Sequence, residues 1–172
     1  MTSVAVVVGN PSPGSRTLAA ATWLADQLAP GADDRLILDL APLGPSLLAW
    51  DDAAVAQAVA TVGEADLVVV ASPTYKGTYT GLLKLFLDHV PGGTGIRGVA
   101  VPFMLCASPA HAHAAELLLR PVLTEFGASV PVRGLSVLDT RHDDPMAYAD
   151  WLAVARPRIT AALTAATAGA RS

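Results

Sequence analysis

Apolar residues fall into two kinds of run along this chain. Val4–Val8, Leu67–Ala71 and Val99–Cys106 are apolar almost throughout, and Leu36–Leu40 and Val130–Leu138 are weaker versions of the same pattern. Between them, Thr17–Leu28, Asp51–Val62, Gly81–Val90, Ala110–Phe126 and Pro145–Ala168 carry apolar residues at three- and four-residue spacing and are rich in Ala and Leu. That is the helical period with strong helix formers. The sequence therefore predicts five strands alternating with five helices.

Strands that are apolar on both faces belong to a parallel sheet covered by helices on both sides. Right-handed crossovers restrict the possible topologies. Five strands favour the order 2-1-3-4-5, a flavodoxin-like three-layer α/β sandwich whose ligand crevice opens at the carboxyl ends of the first and third strands. Function is expected in the loops after Val8, Ala71 and Leu105.

A length of 172 residues with 52% hydrophobic content suits one domain over the whole chain, 1–172. The Ala- and Thr-rich tail, Thr164–Ser172, is expected to fray, with 168–172 disordered. A single cysteine, Cys106, precludes an internal disulfide and fits a reducing, cytoplasmic compartment. Val4–Val8 is too short for a signal segment or a membrane span. The formal charge of −4, with 15 acidic and 11 basic residues, offers no nucleic-acid footprint. A bound phosphate must then be held locally, by amides, hydroxyls and a few arginines.

The first loop, Gly9–Thr17, lies between a buried strand and a helix whose first turn has unpaired amides, an anion site in principle. Ser12, Ser15 and Thr17 add hydroxyls and Arg16 a charge. The same residues also make a Pro-rich turn with Ser15 as an ordinary N-cap. The second loop, Ser72–Gly81, packs Tyr75, Tyr79, Gly77, Gly81 and Pro73 into ten residues. It can border a planar heterocycle, or it is a surface loop whose tyrosines cap the core.

In these loops the chain resembles the NADPH-dependent FMN reductase family, including the reductases of two-component sulfonate monooxygenases. The family's glycine, Ser-Pro-Arg and Ser-x-Ser/Thr pattern is similar to Gly9–Thr17. Its Pro-x-Tyr-x-(Gly/Ala)-(Ser/Thr)-x-(Ser/Thr)-Gly-x-Leu-Lys segment is matched by Pro73–Lys84. Ala110-His111 and Arg120-Pro121-Val122-Leu123 match later pieces. The resemblance implies that Ser15, Arg16 and Thr17 hold the FMN phosphate, and that Pro73, Thr74, Tyr75 and Lys76 border the isoalloxazine. Ser12, Gly77, Ala107 and His111 complete the expected cofactor-binding set.

The resemblance further implies hydride transfer from NADPH or NADH to FMN, with no catalytic side chain because the cofactor carries the chemistry. A partner flavin-dependent monooxygenase and a homodimer or homotetramer follow from it. The apolar helices Gly81–Val90 and Ala110–Phe126 also point to self-association. Two alternatives stand beside this reading: a tight FMN-binding quinone, azo or metal-oxyanion reductase, and a non-catalytic flavin-binding electron carrier. In two places the chain departs from the family. Ser12 replaces an arginine of the phosphate loop, and Cys106-Ala107 replaces Gly-Gly after the fourth strand.

Other residues receive plainer readings. Lys84 matches the family, but it also stands four residues before Asp88, where a local ion pair accounts for it equally well. His111 and His113 are two apart and point different ways on a helix, so with Cys106 they are read as structural or flavin-edge groups rather than metal ligands. Asp139, His142, Asp143 and Asp144 are read as a solvated loop and helix N-cap, with no GxSxG elbow to support a hydrolase. Trp23, Trp50 and Trp151 are each read as packing against their helices.

Overall fold

A computed structural model of the chain describes residues 2–32 and 34–169. The valine-rich runs become β1 (Ser3–Val8), β3 (Leu67–Pro73) and β4 (Val99–Cys106), joined by β2 (Asp34–Asp39) and β5 (Leu135–Leu138). The intervening segments form α1 (Arg16–Leu28), α2 (Ala53–Glu64), α3 (Gly81–Leu87), α4 (Arg120–Glu125) and α5 (Ala149–Gly169). Among the described residues the five strands make one parallel sheet in the order β2-β1-β3-β4-β5. This is the flavodoxin-like arrangement expected from the sequence. No helix among the described residues is long and apolar enough to cross a membrane.

The two-residue period of the strands divides the core. Val4, Val6, Val8, Val69 and Val101 face α1 and α5, with Leu24, Tyr148 and Ile159 packed over them. Ala5, Val7, Val68, Val70 and Met104 face the other layer, under Val55, Phe86 and Leu123. Fully burying one such aliphatic side chain contributes about 1.5–3 kcal/mol. The central strands β1, β3 and β4 are buried on both faces, whereas edge strand β2 is half exposed. The three best-anchored strands are thus the ones whose carboxyl ends carry the candidate loops.

Most element limits shift by a few residues, with α3 ending at Leu87 and the last helix starting at Ala149 after a 3₁₀ turn at Pro145–Ala147. The fifth strand, the fourth helix and the C-terminus depart most from the sequence expectation. The fifth strand starts at Leu135 rather than Val130. Pro131 lacks an N–H for a sheet ladder. The carbonyls of Val130 and Arg133 are taken by Arg120 Nη2 (3.1 Å) and Trp151 Nε1 (2.8 Å). At Gly134 a Cβ would stand 2.5 Å from the backbone of Ala115 and Glu116, so the chain there runs against a helix.

The expected helix Ala110–Phe126 is instead a 3₁₀ turn, Pro109–His111, then a π-helical segment, Ala115–Leu119, then α4. Pro121 explains the break: its ring would clash with the carbonyl of Leu117, and it has no N–H to donate there. The helix widens ahead of it, with the Arg120 amide reaching back to Ala115 O. At the C-terminus α5 continues through Gly169, and the expectation for 170–172 falls outside the described residues.

Candidate functional site

The carboxyl ends of the sheet strands open on a cavity of about 320 Å³. Asn10, Ser12, Ser15, Arg16 and Thr17 form one wall, and Pro73, Thr74 and Tyr75 the facing one. Leu105 and Ala107 close it below β4, and Asp139 enters from the residue after β5.

The first wall is held from inside. Buried Asn10 accepts from the Ser12 amide (2.9 Å) and donates through Nδ2 to Thr17 Oγ1 (3.1 Å). Gly14 turns the chain at φ +64° and donates its amide to Asp39 Oδ2 at the end of β2 (3.0 Å). Ser15 is the N-cap of α1, its hydroxyl accepting from Leu18 N (3.2 Å). Ser15 therefore both caps the helix and lines the cavity. The amides of Ser15, Arg16 and Thr17 have no acceptor among the described residues. They are the orphan donors of a helix N-terminus.

The second wall begins as an extension of the sheet, with Thr74 N donating to Leu105 O (2.7 Å). Tyr75 and Thr78 then exchange both backbone hydrogen bonds, at 2.9 and 3.2 Å, around Lys76 (φ 53°) and Gly77 (φ 84°). Two positive-φ residues between paired positions are the tight hairpin turn that glycine favours. Lys76 and Gly77 occupy its tip and do not line the cavity. Tyr75 is 51% exposed beside the cavity, so it caps no core, whereas Tyr79 packs against the α2–α3 core layer. The hydroxyl of Thr74 is buried and has no partner among the described residues.

A short network locks the two walls together. Thr80 N donates to Ser72 Oγ (3.0 Å), and Thr80 Oγ1 donates to Gly9 O while accepting from Leu83 N (3.1 Å). Gly9 permits this approach: a Cβ there would lie 2.3 Å from Leu83 Cβ.

The remaining candidates separate. Ala107 lines the cavity, but Cys106 points into the core with Sγ 3.6 Å from Val137 O. Burial, and after it the charge of Asp139, pushes the Cys106 thiol pKa up, so it stays protonated and is no nucleophile. His111 sits on the 3₁₀ turn after β4 and does not line the cavity. No His/Cys/Asp/Glu group among the described residues is arranged to hold a metal. Lys84 makes the ion pair with Asp88.

Asp139 is the residue that sequence reasoning passed over. Asp144 caps the turn before α5 and pairs with Arg141 (2.6 Å), as a solvated loop should. Asp139 instead faces the cavity, its Oδ2 3.7 Å from Arg16 Nη2. Its position at the carboxyl end of a strand was the available signal. Trp50 also departs from expectation. It precedes the Asp52 N-cap of α2 and lies 73% exposed, its ring 4.5 Å from that of His89. There it borders a cavity of about 430 Å³ between α2 and the α3–β4 connection, which includes none of the loops above.

Residues 2–143 match the family described as NADPH-dependent FMN reductase. The chain belongs to that family. It is 32% identical to the FMN reductase (NADPH) of Pseudomonas aeruginosa over 178 residues, covering 98% of this chain and 94% of the relative. Alignments with the FMN reductases (NADPH) of Pseudomonas putida and Escherichia coli, at 32% and 33% identity, cover 52% and 45% of this chain. They span less than half of those proteins, 43% and 41%.

Among solved structures, an NADH:FMN oxidoreductase (EmoB) superposes with a TM-score of 0.81 at 29% identity, over 96% of this chain and 90% of that one. A Corynebacterium diphtheriae oxidoreductase, at 23% identity and a TM-score of 0.76, shares the fold over 95% of this chain and 93% of its own. This FMN reductase family is one of oxidoreductases, and FMN and NADPH are the cofactors its name implies.

Proposed function

We propose that this chain uses NADPH or NADH to reduce FMN held in the cavity at the strand ends, and releases the reduced flavin. The observation that carries the reading is the buried, unpartnered hydroxyl of Thr74 on a wall facing the free amides of Ser15, Arg16 and Thr17. A buried polar group without a partner costs roughly 1–3 kcal/mol. A site that tolerates this cost on one wall and orphan donors on the other is built for a polar guest.

The residues present fit FMN. The amides and hydroxyls of Ser12, Ser15 and Thr17, with Arg16, suit its phosphate. Pro73, Thr74 and Tyr75 offer an edge to its ring, held at that position by the turn through Lys76 and Gly77, and Ala107 leaves room beneath. His111 stands on the 3₁₀ turn that follows β4. When bound, FMN supplies the hydride-accepting group. The chain contributes alignment and charge.

The same reading takes in the wider assembly. Leu117 and Leu118, 61% and 40% exposed on the π-helical segment, form an apolar step suited to a second copy of the chain, in a homodimer or homotetramer. Reduced flavin would pass to a flavin-dependent monooxygenase. The buried free thiol of Cys106 fits a cytoplasmic setting.

Steady-state oxidation of NADPH and of NADH, measured while FMN is varied, tests the proposal. Saturation with added FMN supports it. A protein that purifies yellow and turns over quinones without added FMN would be the tight-binding alternative, and no nicotinamide oxidation at all would leave an electron carrier.

A further inference from the structure

Among the described residues lining the cavity, Arg16 is the one cation and Asp139 the one anion. They face each other, with Asp139 Oδ2 3.7 Å from Arg16 Nη2 and their side chains 33% and 60% exposed. The position where the family carries a second arginine is the neutral Ser12. On the same loop the Gly14 amide is already engaged by the Asp39 carboxylate (3.0 Å). Lys76 is at the tip of its turn and does not line the cavity. A phosphate monoester entering beside Arg16 therefore meets a wall of zero net side-chain charge. It must also share its one guanidinium with a carboxylate.

We infer that Asp139 is a specificity-determining residue that suppresses the phosphate's contribution to flavin binding, so that the site accepts riboflavin nearly as readily as FMN. This rests on the flavin-binding reading above. Two effects act in the same direction. The carboxylate competes with the phosphate for the charge of the Arg16 guanidinium, and it repels a group that is mostly dianionic near neutral pH. The opposite wall, with Pro73, Thr74 and Tyr75, carries no charge, so ring recognition is the same for the two flavins. Selection then falls on the ring and the ribityl chain, and FMN is held loosely enough to leave after reduction.

Dissociation constants for FMN and for riboflavin, measured by flavin-fluorescence quenching with the full chain, test this directly. The wild-type protein should prefer FMN by less than about tenfold. Asp139→Asn should tighten FMN on the order of three- to tenfold, the scale of removing one partly screened charge near a dianion, and leave riboflavin within about twofold. Asp139→Ser should do the same, showing that charge removal and not a new amide donor is responsible. An unchanged FMN-to-riboflavin ratio in both variants overturns the inference. So does a weakened preference for FMN over riboflavin, a rise in Kd(FMN)/Kd(riboflavin), which would make Asp139 a residue that orients Arg16 for the phosphate. Binding of neither flavin to the wild-type chain would instead bring down the functional reading itself, and this inference with it.

Discussion

The Thr80 hydroxyl donates to the Gly9 carbonyl and accepts from the Leu83 amide. One side chain thus caps α3 and fixes the loop after β3 against the loop after β1. Thr80→Val keeps the shape and removes both bonds. It should cost about 1–3 kcal/mol, and the melting temperature should fall by about 3–10 °C. FMN affinity should weaken as the walls lose their alignment, and Thr80→Ser should restore both properties. An unchanged thermal melt for Thr80→Val would show that the network does not join the walls.

Thr74→Val separates flavin binding from folding. The wild-type hydroxyl is buried without a partner among the described residues, so its removal should leave the melting temperature of the flavin-free protein unchanged or higher. FMN should bind about two- to tenfold more weakly, the loss of one neutral hydrogen bond. A large fall in apo-protein stability with unaltered FMN binding would give Thr74 a purely structural role.

Tyr75 is half exposed at the cavity edge and touches no core layer. Tyr75→Ala should therefore leave the melt unchanged and raise the FMN dissociation constant several-fold, since aromatic contacts contribute about 0.5–1.5 kcal/mol beyond burial. Thermal melting and fluorescence titration of the same variant check the two halves of this expectation.

Much of this arrangement was legible in the sequence, because the apolar runs report strands buried on both faces. β1, β3 and β4 came out at nearly their expected limits, and with them the loops that form the cavity. Single-position effects were not legible. Pro121 opens a π-helical segment by withholding one N–H, and Gly134 lets the chain press on a helix, shortening β5. At the site, Ser15, Arg16, Thr17, Thr74 and Tyr75 sit on the cavity wall as read from the loops. The displacement of Lys76 and Gly77 follows from a two-residue hairpin inside the second loop. Asp139 lies more than 120 residues from Arg16 along the chain, and only the sheet order brings the two together.

Tyr148 gives the fold an alkaline limit. Its buried ring packs 4.7 Å from Trp23, and its hydroxyl donates to His142 O (2.6 Å). Burial first, and then the charges of Asp143 and Asp144, push its pKa from 10.0 up to about 12. The folded state holds this proton more tightly than the unfolded one. The resulting stability is therefore complete below about pH 10 and is lost as pH rises through about 12, on the order of 2–3 kcal/mol. Tyr148→Phe should be about 1 kcal/mol less stable at neutral pH for want of the hydrogen bond. The gap to wild type should close and then reverse between about pH 10 and 12, because the loss in wild type exceeds about 1 kcal/mol and the phenylalanine cannot ionise. Urea midpoints of both proteins across that range would cross; a constant gap would refute the linkage.

If this chain itself turns over flavin at the strand-end cavity, a small amount of it reduces a large excess of FMN. Anaerobic mixing of catalytic amounts of the protein with excess FMN and NADPH, and separately NADH, tests it most directly by following the flavin's visible absorption. Bleaching of many equivalents of FMN per chain is expected with at least one nicotinamide, slowed in Thr74→Val at limiting FMN. Absence of bleaching above the protein-free rate with both nicotinamides would contradict it.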